Sequence, residues 1–459
     1  MDNTSGPATP GISPFESIRK VNEEGFEYWS ARDLAKILGY TEFRKFNNAI
    51  QKAETACENS GQRVADHFAH MGGMVSIGSG AKRKVEDVHL SRYACYLLIQ
   101  NSDPSKEITD PGLVPYQILD VEGNLVGKMP DISAERMLSL YRYMQVGRVF
   151  SNKIVALQRQ GRATTFGSLV GQEATAVGLA APMQPQDWLA TSYREIASLI
   201  VKGVPIPTLA YSFRGFTPEN WPAETHCLPV QIVIGTQMLH AVGLAMAAKI
   251  AGDPVVAVGV CGDGATSEGD FNEALNFAGV FQAPVVLVVQ NNGWAISVPR
   301  HKQSAASTFA ARGEGFGVPA RLVDGNDILA VYDSMSKAIE NARAGNGPTL
   351  IETLTYRIGA HTTADDPTRY RDAAEVEAWR AKDPIARFQK FLMARGLLTE
   401  QRAQQLIEEV EEEINEAVRI AEAIPPMAPD SFFDYVAAEL SPRQQAQRAD
   451  LLRYIDKKP

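Results

Sequence analysis

The sequence predicts an α/β fold with a parallel sheet covered by helices on both faces, preceded by a small, mostly helical α+β domain. Three observations carry this. From residue 253 onward, short apolar runs alternate with segments of helical period. Two of those runs, Val255 to Val260 and Pro284 to Val289, are apolar almost without interruption, as strands buried on both faces must be. Residues 15–106 show hairpin and short-helix signals instead, and residues 1–100 are charge-neutral, with 12 Lys/Arg against 12 Asp/Glu in a chain of net charge −9.

The 459 residues leave room for about two to four domains, and a hydrophobic content of 45% suffices for sizeable cores. The acidic balance argues against nonspecific affinity for nucleic acid or anionic membrane over the whole chain. Cys57, Cys95, Cys227 and Cys261 have neither metal-ligand nor disulfide-framework spacing, which points to a reducing, cytoplasmic compartment. The start has neither a basic leader nor an apolar core, so no signal peptide is expected. Residues 228–252 are apolar but carry Gln231, Gln237, His240 and Lys249, and so read as a buried helix rather than a membrane span.

Residues 1–14, rich in Pro, Gly, Ser and Thr, are expected to be disordered. Asn22-Glu23-Glu24-Gly25 separates two hairpin arms. Ser30 caps a helix with Asp33 at its third position, Leu34, Ile37 and Leu38 on one face, and Gly39 as its stop. A second helix follows Thr41, with Phe43, Phe46, Ile50 and Cys57 at helical spacing and its end at Gly61, and a third runs from about His89 to Asn101. Lys82, Arg83 and Lys84 read as a solvated loop rather than a nucleic-acid contact. Residues 107–130 read as a linker and a short hairpin around Glu122-Gly123-Asn124. Ser133 then caps a long helix with Met137, Leu140, Tyr141 and Met144 on one face, closed by Gly161. Residues 166–195 are dense in small residues and turns, and an apolar helix occupies 236–252.

After Val298 the spacing predicts a strand over Ala320–Val323, a helix over Ile328–Ala344 and a strand over Thr349–Tyr356, followed by a polar loop, 357–371, that carries His361. The domain built from these alternating units is bounded at 131–395. From 396 to 459 the chain reads as a helical extension, in which Leu406, Val410, Ile414, Val418 and Ala421 point inward and the acids at 408–413 form a solvated face.

The chemistry concentrates between Asp253 and Val298. A Gly-Asp-Gly turn at 262–264 follows the first strand and opens a helix expected to begin near Ala265 and to end near Phe281. The second strand breaks at Asn291-Asn292. Magnesium takes one or two protein carboxylates and fills its octahedron with phosphate oxygens and water. One Asp, one Asn and one backbone carbonyl suit that need, Gly262 and Gly264 let the backbone approach a diphosphate, and helix amides face the negative charge. Asp263, Asn292 and His361 each follow a strand and converge where ligands of parallel sheets bind.

A Gly-Asp-Gly triplet alone is common in loops. With 26 intervening residues, 265–290, and then Asn-Asn, in strand-helix-strand order, it is far more specific. Here the chain resembles the alpha subunits of the 2-oxo-acid dehydrogenases, thiamine-diphosphate enzymes, and is most similar to the bacterial pyruvate type. The resemblance spans about 112–440 and includes GQEA at 171–174, SYRE at 192–195, IVIGTQ at 232–237, QNNGWAIS at 290–297 and DDPTRYR at 365–371. Residues 29–40, 52–61 and 91–106 resemble the front part of the DNA-damage-inducible protein D family, which leaves a DNA-binding or repair-regulating module as a reading of another class.

The first resemblance implies a thiamine-diphosphate-binding fold, with Asp263, Asn292 and the Trp294 carbonyl oxygen as magnesium ligands. It implies diphosphate contacts from Tyr193 and Arg194, assisted by the Gly264 and Ala265 amides, with Gly262 beside them and Ile234 against the aminopyrimidine. His361 is implied to hold the diphosphate end and assist proton transfer, with a side chain that titrates near neutrality. Asp270 and Glu273 are implied to line a channel between two active sites; without the resemblance they read as helix-start acids. Arg357 either faces the substrate carboxylate or braces the loop. Gln290 and Ala360 replace an Arg and a His of the branched-chain enzymes.

The implied reaction is decarboxylation of a small 2-oxo acid, pyruvate or alternatively a branched-chain acid, on thiamine diphosphate with magnesium, and transfer of the acyl group to a lipoyl group of a partner acyltransferase. The glutamate that activates the cofactor in this class is expected on a separate beta subunit, in an alpha-two, beta-two assembly. A dinucleotide-dependent oxidoreductase is disfavoured, since no G-x-G-x-x-G opens a helix after a strand.

Overall fold

The computed structural model describes residues 15, 18–22, 25–37, 43–59, 62–76, 82–101, 114–216, 221–434 and 436–456. The chain forms two compact units, 1–114 and 115–459. Residues 1–14, Glu23, Glu24, Leu38, Gly39, Thr41, Gly61 and residues 102–113, which carried expectations above, lie outside the described residues.

In the first unit four antiparallel strands lie in the order Lys20–Val21, Glu27–Ser30, Lys82–Leu90, Phe68–Ser76, accompanied by the helices Ala31–Ile37, Phe43–Asn59 and Arg92–Asn101. Ser30 Oγ accepts from the Asp33 N–H at 3.3 Å, the expected cap. Trp29, Leu34, Phe46, Ile50, Cys57, Leu90, Cys95 and Leu98 share one core. The unit is richer in strand than its sequence suggests. Residues 82–84 are strand rather than loop, with Lys84 opposite Met74 and Lys82 opposite Ser76. The Gly72-Gly73 pair and the cationic start hide the alternation on which strand recognition depends.

In the second unit five parallel strands lie in the order Ala320–Asp324, Thr349–Leu354, Val285–Asn291, Ala257–Gly262, Trp188–Ala190. Their apolar runs face both ways. Val258, Val260, Val286, Val288 and Ile351 join one core with the helices Ala134–Arg159, Glu173–Ala180, Ile328–Arg343 and Glu400–Ala423. Ala257, Cys261, Val285, Leu287, Val289 and Leu350 join a second core with the helices Thr236–Ala251 and Gly269–Phe281. Alternate side chains of a strand leave opposite faces, so a run without polar gaps fills two cores at once. The short strand at 188–190 went unread because it is hidden among the small residues of 166–195. Among the described residues, no helix is long and apolar enough to cross a membrane.

The hairpin around Gly123 belongs to this unit. The Tyr116 N–H donates to Leu322 O at 2.9 Å and Asp324 N–H donates to Tyr116 O at 3.0 Å, so the segment extends the sheet past its 320–324 edge. Ser133 and Thr399 cap their helices through Arg136 N–H and Arg402 N–H.

Candidate active site

The register of the central strands builds the site. Gly262 lies opposite Gln290, and Asn291 opposite Leu354, so the chain leaves three neighbouring strands at one edge. Asp263, Asn292 and the loop carrying His361 follow those strand ends. They border a cleft of about 820 Å³, lined also by Tyr193, Arg194, Ile234, Gly262, Gly264, Ala265 and Trp294. Every residue expected to hold the diphosphate or the metal therefore meets in one place. The helix after the Gly-Asp-Gly turn starts later than expected: Asp263–Ser267 is a tight 3-10 turn, and the α-helix runs Gly269–Phe281. The turn, rather than the end of the α-helix, borders the cleft, at Gly264 and Ala265. A side chain at Gly262 would occupy open space, which keeps room for a ligand.

Asp263 is the electrostatic centre. Its side chain is buried and its Oδ2 has no hydrogen-bond partner. Burial pushes its carboxyl up to about 6, against backbone hydrogen bonds and the Arg357 and Arg194 charges, which pull the other way. Its backbone carbonyl accepts from Thr266 Oγ1 at 2.7 Å and from the Gln303 amide. A buried, unpartnered carboxylate oxygen is what a cation would satisfy, and Asn292 Oδ1 and the Trp294 carbonyl are hard oxygen donors of the same kind. The residues present fit magnesium.

Two guanidinium groups surround His361. Arg194 Nη2 lies 2.9 Å and Arg357 Nη1 3.1 Å from His361 Nδ1. An arginine only donates, so Nδ1 accepts from both and the ring proton resides on Nε2. Burial first, and then the Arg194 and Arg357 charges, lower the His361 pKa to about 4. The expected titration near neutrality is thereby corrected: His361 is a neutral N–H donor. A 15N-resolved titration of the unliganded protein is expected to show the Nε2–H tautomer from pH 5 to 8; a midpoint near 6.5 would contradict the geometry.

Arg357 does not border the cleft. It is buried, with Nη2 donating to Ile296 O at 2.7 Å and to Tyr370 Oη at 3.0 Å, and Nη1 lying 3.4 Å from Trp294 O. Of the two roles open to it, bracing is the one this geometry allows. Ile296 needs the brace, because its φ of 54° is costly for a β-branched residue. Asp270 and Glu273 also lie away from the cleft: Asp270 accepts from Thr236 Oγ1 at 3.2 Å, and Glu273 is exposed. Because the helix begins only at Gly269, both acids fall on its first turns, beyond the turn that borders the cleft.

Over residues 141–430 the sequence matches the family described as Dehydrogenase E1 component. The chain belongs to the dehydrogenase E1 component family. Residues 17–109 match the BRO family N-terminal domain, the stretch that also resembles DNA-damage-inducible protein D. The 3-methyl-2-oxobutanoate dehydrogenase subunit alpha of Mycobacterium tuberculosis is 43% identical over 355 residues, covering 76% of this chain and 96% of that protein. The pyruvate dehydrogenase E1 component subunit alpha of Acholeplasma laidlawii is 40% identical over 342 residues, 73% of this chain and 99% of its own. That of Staphylococcus epidermidis is 38% identical over 346 residues, 74% and 93%. Within the family the chain is of the alpha-subunit type of the 2-oxo-acid dehydrogenases, which bind thiamine diphosphate and pair with a beta subunit.

The E1 cleft also contains Glu195, to which the sequence assigned no role, and Gln290, which it marked only as a departure from the branched-chain enzymes. Glu195, next to the Tyr-Arg pair, lines it with a buried, unpartnered Oε2, and burial pushes its carboxyl up to about 7. Gln290 lines it as well. Glu195 closes the SYRE stretch and Gln290 opens QNNGWAIS, so membership of a recognised motif was the local signal for both. Burial, which makes them notable, is not written in the local sequence.

Proposed function

We propose that this E1 alpha chain holds the diphosphate and magnesium of thiamine diphosphate for the decarboxylation of pyruvate, and that a beta subunit completes the site. The observation that carries this is the buried, unpartnered Oδ2 of Asp263 at the mouth of the sheet. Bound there, the cofactor supplies an electron sink for the carboxylate carbon bond that breaks. Asp263, Asn292 and the Trp294 carbonyl hold the cation. Arg194 supplies positive charge to the phosphates and Tyr193 borders them. His361 keeps its proton on Nε2 and offers it to an oxygen acceptor in the cleft, while Arg357 holds the loop beneath.

The need for a partner is supported by the segment Ile232, Val233 and Ile234, which leaves 74%, 61% and 40% of these apolar residues exposed beside the cleft. Such a patch calls for cover. In the proposed alpha-two, beta-two assembly the beta subunit covers it and brings the activating carboxylate. The fragment left by decarboxylation would pass as an acyl group to the lipoyl disulfide of a partner acyltransferase, one sulfur taking the acyl group as the disulfide is reduced.

Gln290 and Ala360 support pyruvate as substrate, since the branched-chain enzymes have an Arg and a His at these places. The Mycobacterium tuberculosis relative favours a second reading, a branched-chain 2-oxo acid. Copurification with a beta subunit, followed by decarboxylation assays, separates them. The purified chain alone is expected to show no turnover, and the assembly to prefer pyruvate over 3-methyl-2-oxobutanoate by at least about tenfold in kcat/KM, the scale of one or two methyl groups in a fitted pocket. Turnover without a partner would overturn the divided site; the reverse preference would replace pyruvate by the branched acid.

A further inference from the structure

A buried relay of three side-chain amides backs the cation ligands. Gln290 and Asn292 are two residues apart at one strand end, and both reach the same atom: Gln290 Nε2 and Asn292 Nδ2 each lie 3.0 Å from Gln172 Oε1. All three are closed to solvent, at 0% exposure for Gln172, 1% for Gln290 and 4% for Asn292. Gln172 reaches this position through a turn that only glycine makes. Gly171 has a φ of 94°, and a side chain there would come within 2.6 Å of Ile358 Cγ1 and Tyr356 O.

One fixed donor orients every amide in the relay. The Trp294 N–H donates to Asn292 Oδ1 at 3.3 Å, so the nitrogen of Asn292 is the end that faces Gln172. Gln172 must meet that nitrogen with its oxygen, and the same oxygen then receives the nitrogen of Gln290. Turning any one amide over would set donor against donor or acceptor against acceptor. The free end of Gln290 is therefore Oε1, a buried oxygen without a partner. Gln290 lines the cleft and lies opposite Gly262, the residue before Asp263.

A diphosphate has only acceptors to offer, so it cannot satisfy Gln290 Oε1. An octahedral magnesium held by three protein oxygens and the diphosphate still has a position for water, and a cation-bound water is a strong donor. We propose that Gln172 is a positioning residue for the cation subsite, holding Asn292 and Gln290 by their nitrogens so that Gln290 Oε1 accepts from a water on the cation. This rests on the reading of the cleft as a thiamine diphosphate and magnesium site.

The test uses the full chain assembled with its beta subunit, titrated with Mg2+ at fixed thiamine diphosphate and followed by calorimetry. Gln172→Met keeps the volume and removes the acceptor; it is expected to raise the Mg2+ Kd by about 10–100-fold, as lost outer-shell partners do. Gln172→Glu retains an acceptor for both amides and is expected to stay within about threefold of the wild type. Gln290→Ala removes the free oxygen together with the donor to Gln172, leaves Asn292 still held by Gln172, and is expected to weaken Mg2+ by about tenfold. If Gln172→Met fails to fold, Gln290→Ala and Gln172→Glu decide. Wild-type affinity in Gln172→Met and Gln290→Ala overturns the relay while leaving the site reading intact. Absence of Mg2+-dependent cofactor binding in the wild type removes the site reading, and the relay with it.

Discussion

Asp263→Asn is expected to abolish magnesium-dependent binding of thiamine diphosphate, raising the Kd by at least about 100-fold, since outer-shell partners alone are worth about 10–100-fold. The carboxylate is buried with one oxygen unpartnered, and its pKa in the folded chain is about 6, above its ordinary value of 3.8. The folded state thus holds this proton more tightly than the unfolded state does. Stability from this group is greatest in acid, falls as pH rises from 3.8 toward 6, and above that leaves a constant cost of about 3 kcal/mol in the unliganded protein. A bound cation uses the ionised form and offsets that cost. Magnesium affinity is therefore expected to fall about tenfold per pH unit below about 6. Melting curves of wild type and Asp263→Asn from pH 5 to 8, with and without Mg2+ and thiamine diphosphate, measure both effects. A magnesium-dependent stabilisation that survives in the variant would remove Asp263 from the metal site.

The largest stability effect is expected at Asp327→Ala, a loss of about 3–5 kcal/mol, the range for opening a buried ion pair. The Asp327 carboxylate is fully buried and accepts from Ile118 N–H at 2.7 Å, Leu119 N–H at 2.6 Å, Leu329 N–H at 3.1 Å and Ala330 N–H at 3.2 Å. It caps the helix Ile328–Arg343 and ties the 115–119 segment to the sheet edge with the same two oxygens. Arg387 Nη2 lies 3.8 Å away and is buried too. Removing the carboxylate strands four N–H donors and weakens the compensation of that cation, leaving Asp324 as its partner. Urea unfolding of the full chain gives the number, and limited proteolysis near 115–130 should quicken. A change under about 1 kcal/mol would show that water replaces the carboxylate at these amides.

Much of the catalytic unit was legible because its signals are local. The strands at 257–262 and 285–291 are apolar runs closed by polar turns, and Ser133 declares the helix it caps. Asp263 and Asn292 stood out because each follows such a run. The edge strand at 188–190 and the long hairpin of the first unit were not legible, since three residues among small neighbours, or a Gly-Gly pair beside cations, carry no period. The helix start at Gly269 was misplaced by four residues because a 3-10 turn and an α-helix have similar local preferences.

The site divides in the same way. The sequence by itself determined the α/β class, the order of the catalytic strands and the residue types at their carboxyl ends, because these depend on neighbours a few positions apart. Tertiary structure alone decided what those residues are. It pushed Asp263 up and His361 down, since burial and two converging guanidinium groups come from segments more than 150 residues apart in the chain. It turned Arg357 into a brace, carried Asp270 and Glu273 away from the cleft, and joined Gln172 to Gln290 and Asn292. Electrostatic environment and hydrogen-bond satisfaction are sums over everything nearby in space, and only the folded chain says what is nearby.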